Sequence, residues 1–542
     1  MTHMASPFTA TPVDQLRHAA ATAPGAIIRW NEHSLSYGDL LDRSLRCASA
    51  LRGLGVGPGD RVAFWLPNGI PYLDLFFACL HIGAIAVSVN TRFRRAEVES
   101  IVSRTGATAI VVWPGFKNIP FLTMLSELDP AAMASLRLAV LCEDDGRSGF
   151  PLPGLRVVHH RDLLAGPAGE SAAAPDLPCV IFPTSGTTGL PKFALHRQGA
   201  VARHAAQVAA AFGYDAPDAH LLQAIPFCGV FGFSQLAATV AGAASVTLMS
   251  LFEPVEARDL IRSRSITHLN GPDDLFKRLL DVCPEDKPFP SLRDCLIASF
   301  NPTLALFPEE AERRGVPMTN GFGMSEIFSF FSRQASGAPI GLRKLSGGYP
   351  VNPEAQVRVR DAVTGRVLPP GEIGSLEIAS DTLFCAYFGN PEATRDAFTA
   401  DGFFVTGDLA TMSEDGGFIF KGRNGDVLRL GGFLVDPAEI EAVLQGDGAV
   451  ETAVVVEASS ERGNKPVAFL RLREGAILDE AALRDRVGAA LADFKIPVRF
   501  VVVDQFPTAM SPNGEKIQRG KLKERAQLAL PDAAEARTAS AP

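Results

Sequence analysis

This sequence predicts an α/β protein of two unequal parts, on three observations. A chain of 542 residues is too long for one compact domain and long enough to bury a large core. Short runs rich in Val and Ile alternate with helix-like stretches, the pattern of helices layered on a largely parallel sheet. Near Asp401 the texture turns to short glycine-punctuated strands, DGFFVTGD and DGGFIFKGR. Beyond Gly425 lie roughly a hundred residues, the size of a separate small domain.

Taken in order, residues 40–54 read as a helix, with spaced apolar positions and a stop at Gly53 and Gly55. Residues 60–67 read as a strand, and 81–90 (HIGAIAVSVN) and 107–113 (ATAIVVW) as further buried strands. The stretch 143–176, rich in Asp, Gly, Pro and Ala, reads as loops leading to a strand at 179–182. In the C-terminal hundred residues the expected order is helix 437–444, strands 451–458 and 465–473, a helix near 480–491, and strand 499–503. The tail PDAAEARTASAP, 531–542, has the composition of a disordered end. These divisions give an N-terminal domain of residues 1–424 and a C-terminal domain of 425–530.

Composition excludes several partners. The net charge is −9 and no basic run occurs, so nothing marks a surface for nucleic acid. The longest apolar stretches, such as 78–89, contain His81 and fall short of a membrane span. The start, MTHMASPFTATPVDQLRH, lacks the basic-then-apolar order of a secretory signal. Eight cysteines (Cys47, Cys79, Cys142, Cys179, Cys228, Cys283, Cys295 and Cys385) are scattered and never spaced as CxxC. They read as buried thiols of a protein kept in a reducing, cytoplasmic setting.

The strongest local signal comes just after the expected strand at 179–182. Thr184, Ser185, Gly186, Thr187, Thr188 and Gly189 precede Leu190, Pro191 and Lys192. Glycines let backbone N–H groups approach an anion, hydroxyls add donors, and Lys192 adds charge. A plain solvated turn has the same composition. A Walker phosphate loop is excluded, because Lys192 follows Pro191 rather than the second glycine.

This segment resembles the phosphate loop of the adenylate-forming superfamily: acyl-CoA synthetases, luciferases and the adenylation domains of peptide synthetases. Further segments match in order. Gly321-Phe322-Gly323-Met324-Ser325-Glu326 resembles the motif whose aromatic ring stacks on adenine and whose acid helps hold magnesium. Thr406-Gly407-Asp408 resembles the ribose-binding motif, and Gly422-Arg423-Asn424-Gly425-Asp426 the arginine-plus-hinge segment. Gly431-Gly432 falls where the family passes the pantetheine arm of CoA. Asn513-Gly514-Glu515-Lys516-Ile517-Gln518-Arg519 resembles the catalytic-lysine motif. Leu35 to Leu40 and Val89 to Arg92 extend the likeness to the N-terminal part, so it covers nearly the whole chain.

The resemblance implies a multi-subdomain N-terminal α/β domain and a mobile α+β C-terminal one, turning about Gly425. It implies a ligase that uses ATP with Mg²⁺ and releases AMP. A carboxylate attacks the α-phosphate of ATP, and the thiol of CoA then displaces AMP from the acyl-adenylate. Lys516 would bridge carboxylate and phosphate, Lys192 would meet the phosphates, and Glu326 would hold the metal. Expected partners are a carboxylic acid or acyl-adenylate and CoA; a homodimer is left open.

Four positions depart from the family pattern. Gly229 stands where a histidine is common, within a segment whose Phe227 and Phe231 are expected to line the acid pocket. The lost imidazole implies an acid bulkier than benzoate, unless Phe231 or Phe233 refills the space. Phe300, in Ser299-Phe300-Asn301-Pro302, replaces a glycine near adenine and the carboxylate. Glu515 precedes Lys516 where glycine is usual, and Phe193 follows Lys192 where glycine is usual. Because Phe300, Glu515 and Phe193 fall where ATP meets the acid, an enzyme that only converts a supplied acyl-adenylate to its thioester is an alternative. A module loading an amino acid onto a carrier protein would want an acid in 226–234 to pair the substrate ammonium, and none is there. A luciferase-like oxygenase would be told apart by light emission. A non-catalytic acyl or nucleotide sensor would tolerate losing Lys192, Glu326, Asp408, Arg423 and Lys516, yet all are present.

Overall fold

A computed structural model describes residues 10–143, 150–152, 154–184, 191–300, 304–424, 426, 428–430, 433–460, 464–511 and 514–529. Three large sheets carry the chain up to residue 423. The first runs, edge to edge, Ala386–Tyr387, Lys192–Arg197, Pro178–Thr184, Ile85–Ser88, Arg61–Trp65, Ala109–Val112, Leu138–Leu141 and Arg156–His159. From Pro178–Thr184 to Arg156–His159 all neighbours are parallel; Lys192–Arg197 and Ala386–Tyr387 join antiparallel. Its central strands are buried on both faces, which is why they read as unbroken Val/Ile/Ala runs. Alternate residues feed two cores: Val62, Phe64, Ala86 and Phe182 face one, and Ala63, Trp65, Val87 and Ile181 the other.

A five-stranded sheet has the order His268–Leu269, His220–Gln223, Ser245–Leu248, Ile27–Trp30, His33–Ser36. The third sheet has nine strands: Gly271–Pro272, Cys295–Ala298, Met318–Phe322, Ser332–Arg333, Gly347–Pro350, Phe418–Arg423, Phe404–Met412, Gly374–Ala379 and Gln356–Arg360. From Leu428 onward, apolar residues form two clusters of their own around the sheet Val450–Ala458, Lys465–Leu472, Arg499–Val502. Helices Pro437–Gln445, Glu480–Ala490 and Arg519–Ala529 accompany this sheet, along with the hairpin Thr508–Ser511/Gly514–Ile517.

Three expectations need correcting. The helix expected at 40–54 spans Tyr37–Gly53, because Ser36 and Asp39 form a capping box that starts it earlier. The first two residues of the strand expected at 81–90, His81 and Ile82, end helix Ile70–Ile82, closed by Gly83 at φ +84°; the strand itself is Ile85–Ser88. That helix is buried all round, so it has no polar face to reveal a helical period. Within 143–176, Arg156–His159 forms the sheet's edge strand and His160–Leu163 a helical turn. His160 Nε2 lies 3.0 Å from the buried Asp74 carboxylate, which the Arg43 guanidinium grips with two hydrogen bonds.

All eight cysteines are free, and seven are buried with Cys385 half-buried. Burial pushes the Cys228 thiol up to about 11 and the Cys79 thiol to about 12, so neither is a ready nucleophile. Among the described residues no helix is long and apolar enough to cross a membrane.

Candidate active site

The phosphate-loop segment sits at the turn of a hairpin. Pro178–Thr184 and Lys192–Arg197 pair antiparallel, with Thr184 directly opposite Lys192. Ser185, Gly186, Thr187, Thr188 and Gly189 lie outside the described residues. Lys192 is exposed, while the next residue alternates to the other face. Phe193 is 2% exposed, packs in the second core, and carries the Arg104 guanidinium 4.5 Å above its ring centre. The ring therefore faces the core, which corrects its placement where ATP meets the acid.

Glu326 lies in the connection between Met318–Phe322 and Ser332–Arg333, two antiparallel neighbours. The glycines before it are there for space. A Cβ on Gly321 would come within 2.3 Å of the Ser332 carbonyl oxygen, and one on Gly323 within 2.7 Å of Ser329 Cα. After Glu326 the chain turns through Phe328, Ser329 and Phe330 at φ +57°, +57° and +42°, three successive non-glycine residues in the left-handed region. Each such residue costs on the order of 1–3 kcal/mol unless its surroundings fix it.

Those surroundings are dense. Phe328 packs on Phe182, His196, His204 and Phe233, and Phe330 on Phe212 and Phe231. His196 donates from Nε2 to the Ser325 carbonyl at 2.8 Å. Burial holds His196 and His204 neutral, lowering each to about 4. Phe322, expected beneath adenine, packs its ring on Phe418 and Phe420 at 5.6 Å centre to centre.

The Glu326 carboxylate is 5% exposed and accepts a hydrogen bond from the Tyr387 hydroxyl at 2.8 Å. Burial raises its pKa; the Tyr387 bond and the charges of Arg423 and Lys192 oppose that rise. The structure thus gathers Lys192, Glu326 and Arg423 into one electrostatic neighbourhood.

Asp408 joins them through register: it pairs with Arg423 across antiparallel strands, with Arg423 Nε 3.8 Å from Asp408 Oδ1. Asp408 is 5% exposed, and its N–H donates to Thr406 Oγ1, which donates in turn to the Leu376 carbonyl.

On the acid side, residues 225–229 are tied down from several directions. Asn68 donates to the Ile225 and Met249 carbonyls and accepts from Phe227 N–H; Ser88 donates to the Cys228 carbonyl; Gln223 donates to the Ile225 and Gly232 carbonyls. Gly229 caps helix Val230–Ala241. Phe227 is fully buried against Tyr72, Phe231 packs on Phe330, and Phe233 on Phe76 and Phe182, so all three rings belong to the core. Phe300 is half-buried, and its N–H donates to Asp273 at 3.0 Å.

In the C-terminal part, Lys516 lies opposite Ala509 and Glu515 opposite Met510 in the hairpin. The hairpin is anchored just beyond, where Arg519 bonds Glu441 at 2.7 Å and the Val455 carbonyl at 2.9 Å. Gly425, Gly431 and Gly432 lie outside the described residues.

No group of three or more His, Cys, Asp or Glu among the described residues could hold a metal ion by itself. A single carboxylate such as Glu326 fits Mg²⁺ that arrives on nucleotide phosphates, since that ion is commonly held by one or two carboxylates plus phosphate oxygens. Sequence reasoning missed Tyr387 and His196. Neither stands in a charged or glycine-rich pattern, and their contacts are made across the fold.

Residues 16–388 match the AMP-binding enzyme family, and residues 439–512 match the AMP-binding enzyme C-terminal domain. The chain belongs to this family, the adenylate-forming superfamily, and is of the acyl-CoA synthetase type. It is similar to a feruloyl-CoA synthase of Amycolatopsis, 29% identical over 94% of this chain and 98% of that one. It is also similar to a 2-succinylbenzoate–CoA ligase of Geobacillus kaustophilus, 28% identical over 90% of this chain and 92% of that one. Among solved structures, ATP-bound MatB from Rhodopseudomonas palustris superposes with a TM-score of 0.81 at 26% identity, over 95% of this chain and 99% of that one.

Proposed function

We propose that the protein is an AMP-forming carboxylic acid–CoA ligase acting on a bulky apolar acid. The observation that carries this reading is the buried Glu326 carboxylate facing Lys192 and Arg423, beside Asp408. Two anions must meet when a carboxylate attacks ATP, and their repulsion is the main barrier to overcome. Lys192 would neutralise phosphate charge, and Asp408 would take the ribose hydroxyls. Lys516, brought in on its hairpin, would bridge the attacking carboxylate and the α-phosphate. Mg²⁺ held by Glu326 would supply further charge neutralisation.

Thioester formation needs neither Lys516 nor a metal. It needs a dry passage for the thiol, which small residues at Gly431 and Gly432 would permit. Rotation of the C-terminal part about Gly425 would exchange the two arrangements.

The test is acyl-CoA formation in parallel arms, one with a panel of acids plus Mg·ATP, the other with preformed acyl-adenylates. Product in both arms, with larger fatty, aryl or polycyclic acids outperforming benzoate, supports the reading. Product from adenylates alone would mean that Phe300 and Glu515 have separated the half-reactions. Product in neither arm overturns it.

A further inference from the structure

Tyr387 stands on the edge strand Ala386–Tyr387, paired to Ala194 across from the strand that begins at Lys192. Its position is fixed on several sides. Its N–H donates to Thr394 Oγ1 at 3.0 Å, the Phe384 ring lies 4.7 Å away, and Phe388 N–H next door donates to the Phe193 carbonyl. The ring then serves two charged groups at once. The Lys192 ammonium sits 4.7 Å from the ring centre, and the hydroxyl holds Glu326 Oε1 at 2.8 Å. Phe384 N–H also donates to the Glu326 carbonyl, so the same segment grips Glu326 by backbone and side chain.

We propose that Tyr387 is a positioning residue for adenylation: it keeps Lys192 and Glu326 apart and separately satisfied, each free to meet its own part of a metal-bound nucleotide. This rests on the functional reading above. Opposite charges in a partly buried setting attract, and a direct ion pair between the two would neutralise both. The aromatic face gives the ammonium a partner of its own, and the hydroxyl does the same for the carboxylate. The two functions lie on different atoms of one side chain, so they can be removed one at a time.

The experiment is calorimetric binding of Mg·ATP and of ATP in EDTA, with the KM for Mg²⁺ in adenylation measured alongside. Tyr387→Phe keeps the ring and loses the hydroxyl. It should weaken Mg·ATP binding about 10-fold, raise the KM for Mg²⁺ similarly, and leave metal-free ATP binding and kcat nearly unchanged. Tyr387→Leu also releases Lys192, and should weaken metal-free ATP as well. In that background Lys192→Met should add little, because Lys192 is already paired.

If wild type prefers Mg·ATP and Tyr387→Phe keeps the full preference, the Tyr387 proposal is overturned and the functional reading stands. If Lys192→Met costs as much in the Tyr387→Leu background as in wild type, the separating role is overturned even should Tyr387→Leu prove less stable. If wild type itself shows no preference for Mg·ATP, both fall.

Discussion

The surroundings of Glu326 and the hairpin that carries Lys516 are built in opposite ways. Glu326, Tyr387 and Asp408 are each 5% exposed. They are set where two large sheets supply their neighbours, behind three left-handed residues held by aromatic packing. The Lys516 hairpin is a sheet of only two strands, anchored through Arg519 to Glu441. A lone two-stranded ribbon is marginal in water, so that ion pair matters to its position. The lesson is a division of labour. On the proposed reading, the groups that would hold nucleotide and metal belong to a packed core, and the lysine that would bridge acid and phosphate is mounted on a lightly attached element.

The comparison is broken most severely at the anchor. Arg519→Met leaves Glu441 buried without its cation and should destabilise the C-terminal part by about 4 kcal/mol. Hydrogen exchange should show that loss confined to residues beyond 428, with adenylation slowed and nucleotide affinity kept. On the core side, Phe193→Ala should cost about 3 kcal/mol in denaturant titrations. It should not speed adenylation, since the ring faces Arg104 and the core. A faster enzyme would show that the ring reaches the nucleotide after all.

Next in size, Glu326→Gln should slow acid-dependent pyrophosphate release about 100-fold. Because burial opposes its ionisation, the same change should raise stability by about 1 kcal/mol. The smallest effect concerns pH. His196 and His204 titrate near 4 when folded against a usual 6.5, so the unfolded chain binds more protons between those values. Stability should therefore climb as pH rises from about 4 to 6.5 and level off above, by at least about 1 kcal/mol in urea titrations. A flat profile would show that the left-handed turn does not depend on neutral imidazoles.

Much of this architecture was legible in the sequence because the buried parallel strands read as short unbroken Val/Ile runs, and helices Pro437–Gln445 and Glu480–Ala490 bury residues four apart. Helix Ile70–Ile82 was not, since a helix buried on every side has no period to read. At the site, Lys192, Glu326, Asp408 and Arg423 could be found from ordered motifs, and the structure brings them together. Tyr387 could not. Its value comes from a strand pairing between residues 386–387 and 194–195, which no local pattern encodes. The role expected of Phe193 failed for a related reason: strand alternation sends neighbouring side chains to opposite faces, and only the sheet shows which face is the core.

The most direct test of the division of labour is Lys516→Ala measured in both half-reactions. The predicted result is a loss of roughly 10²–10³-fold in acid-dependent pyrophosphate release from Mg·ATP, with acyl-CoA formation from preformed acyl-adenylate essentially unchanged. Equal losses in the two reactions, or none in the first, would contradict it.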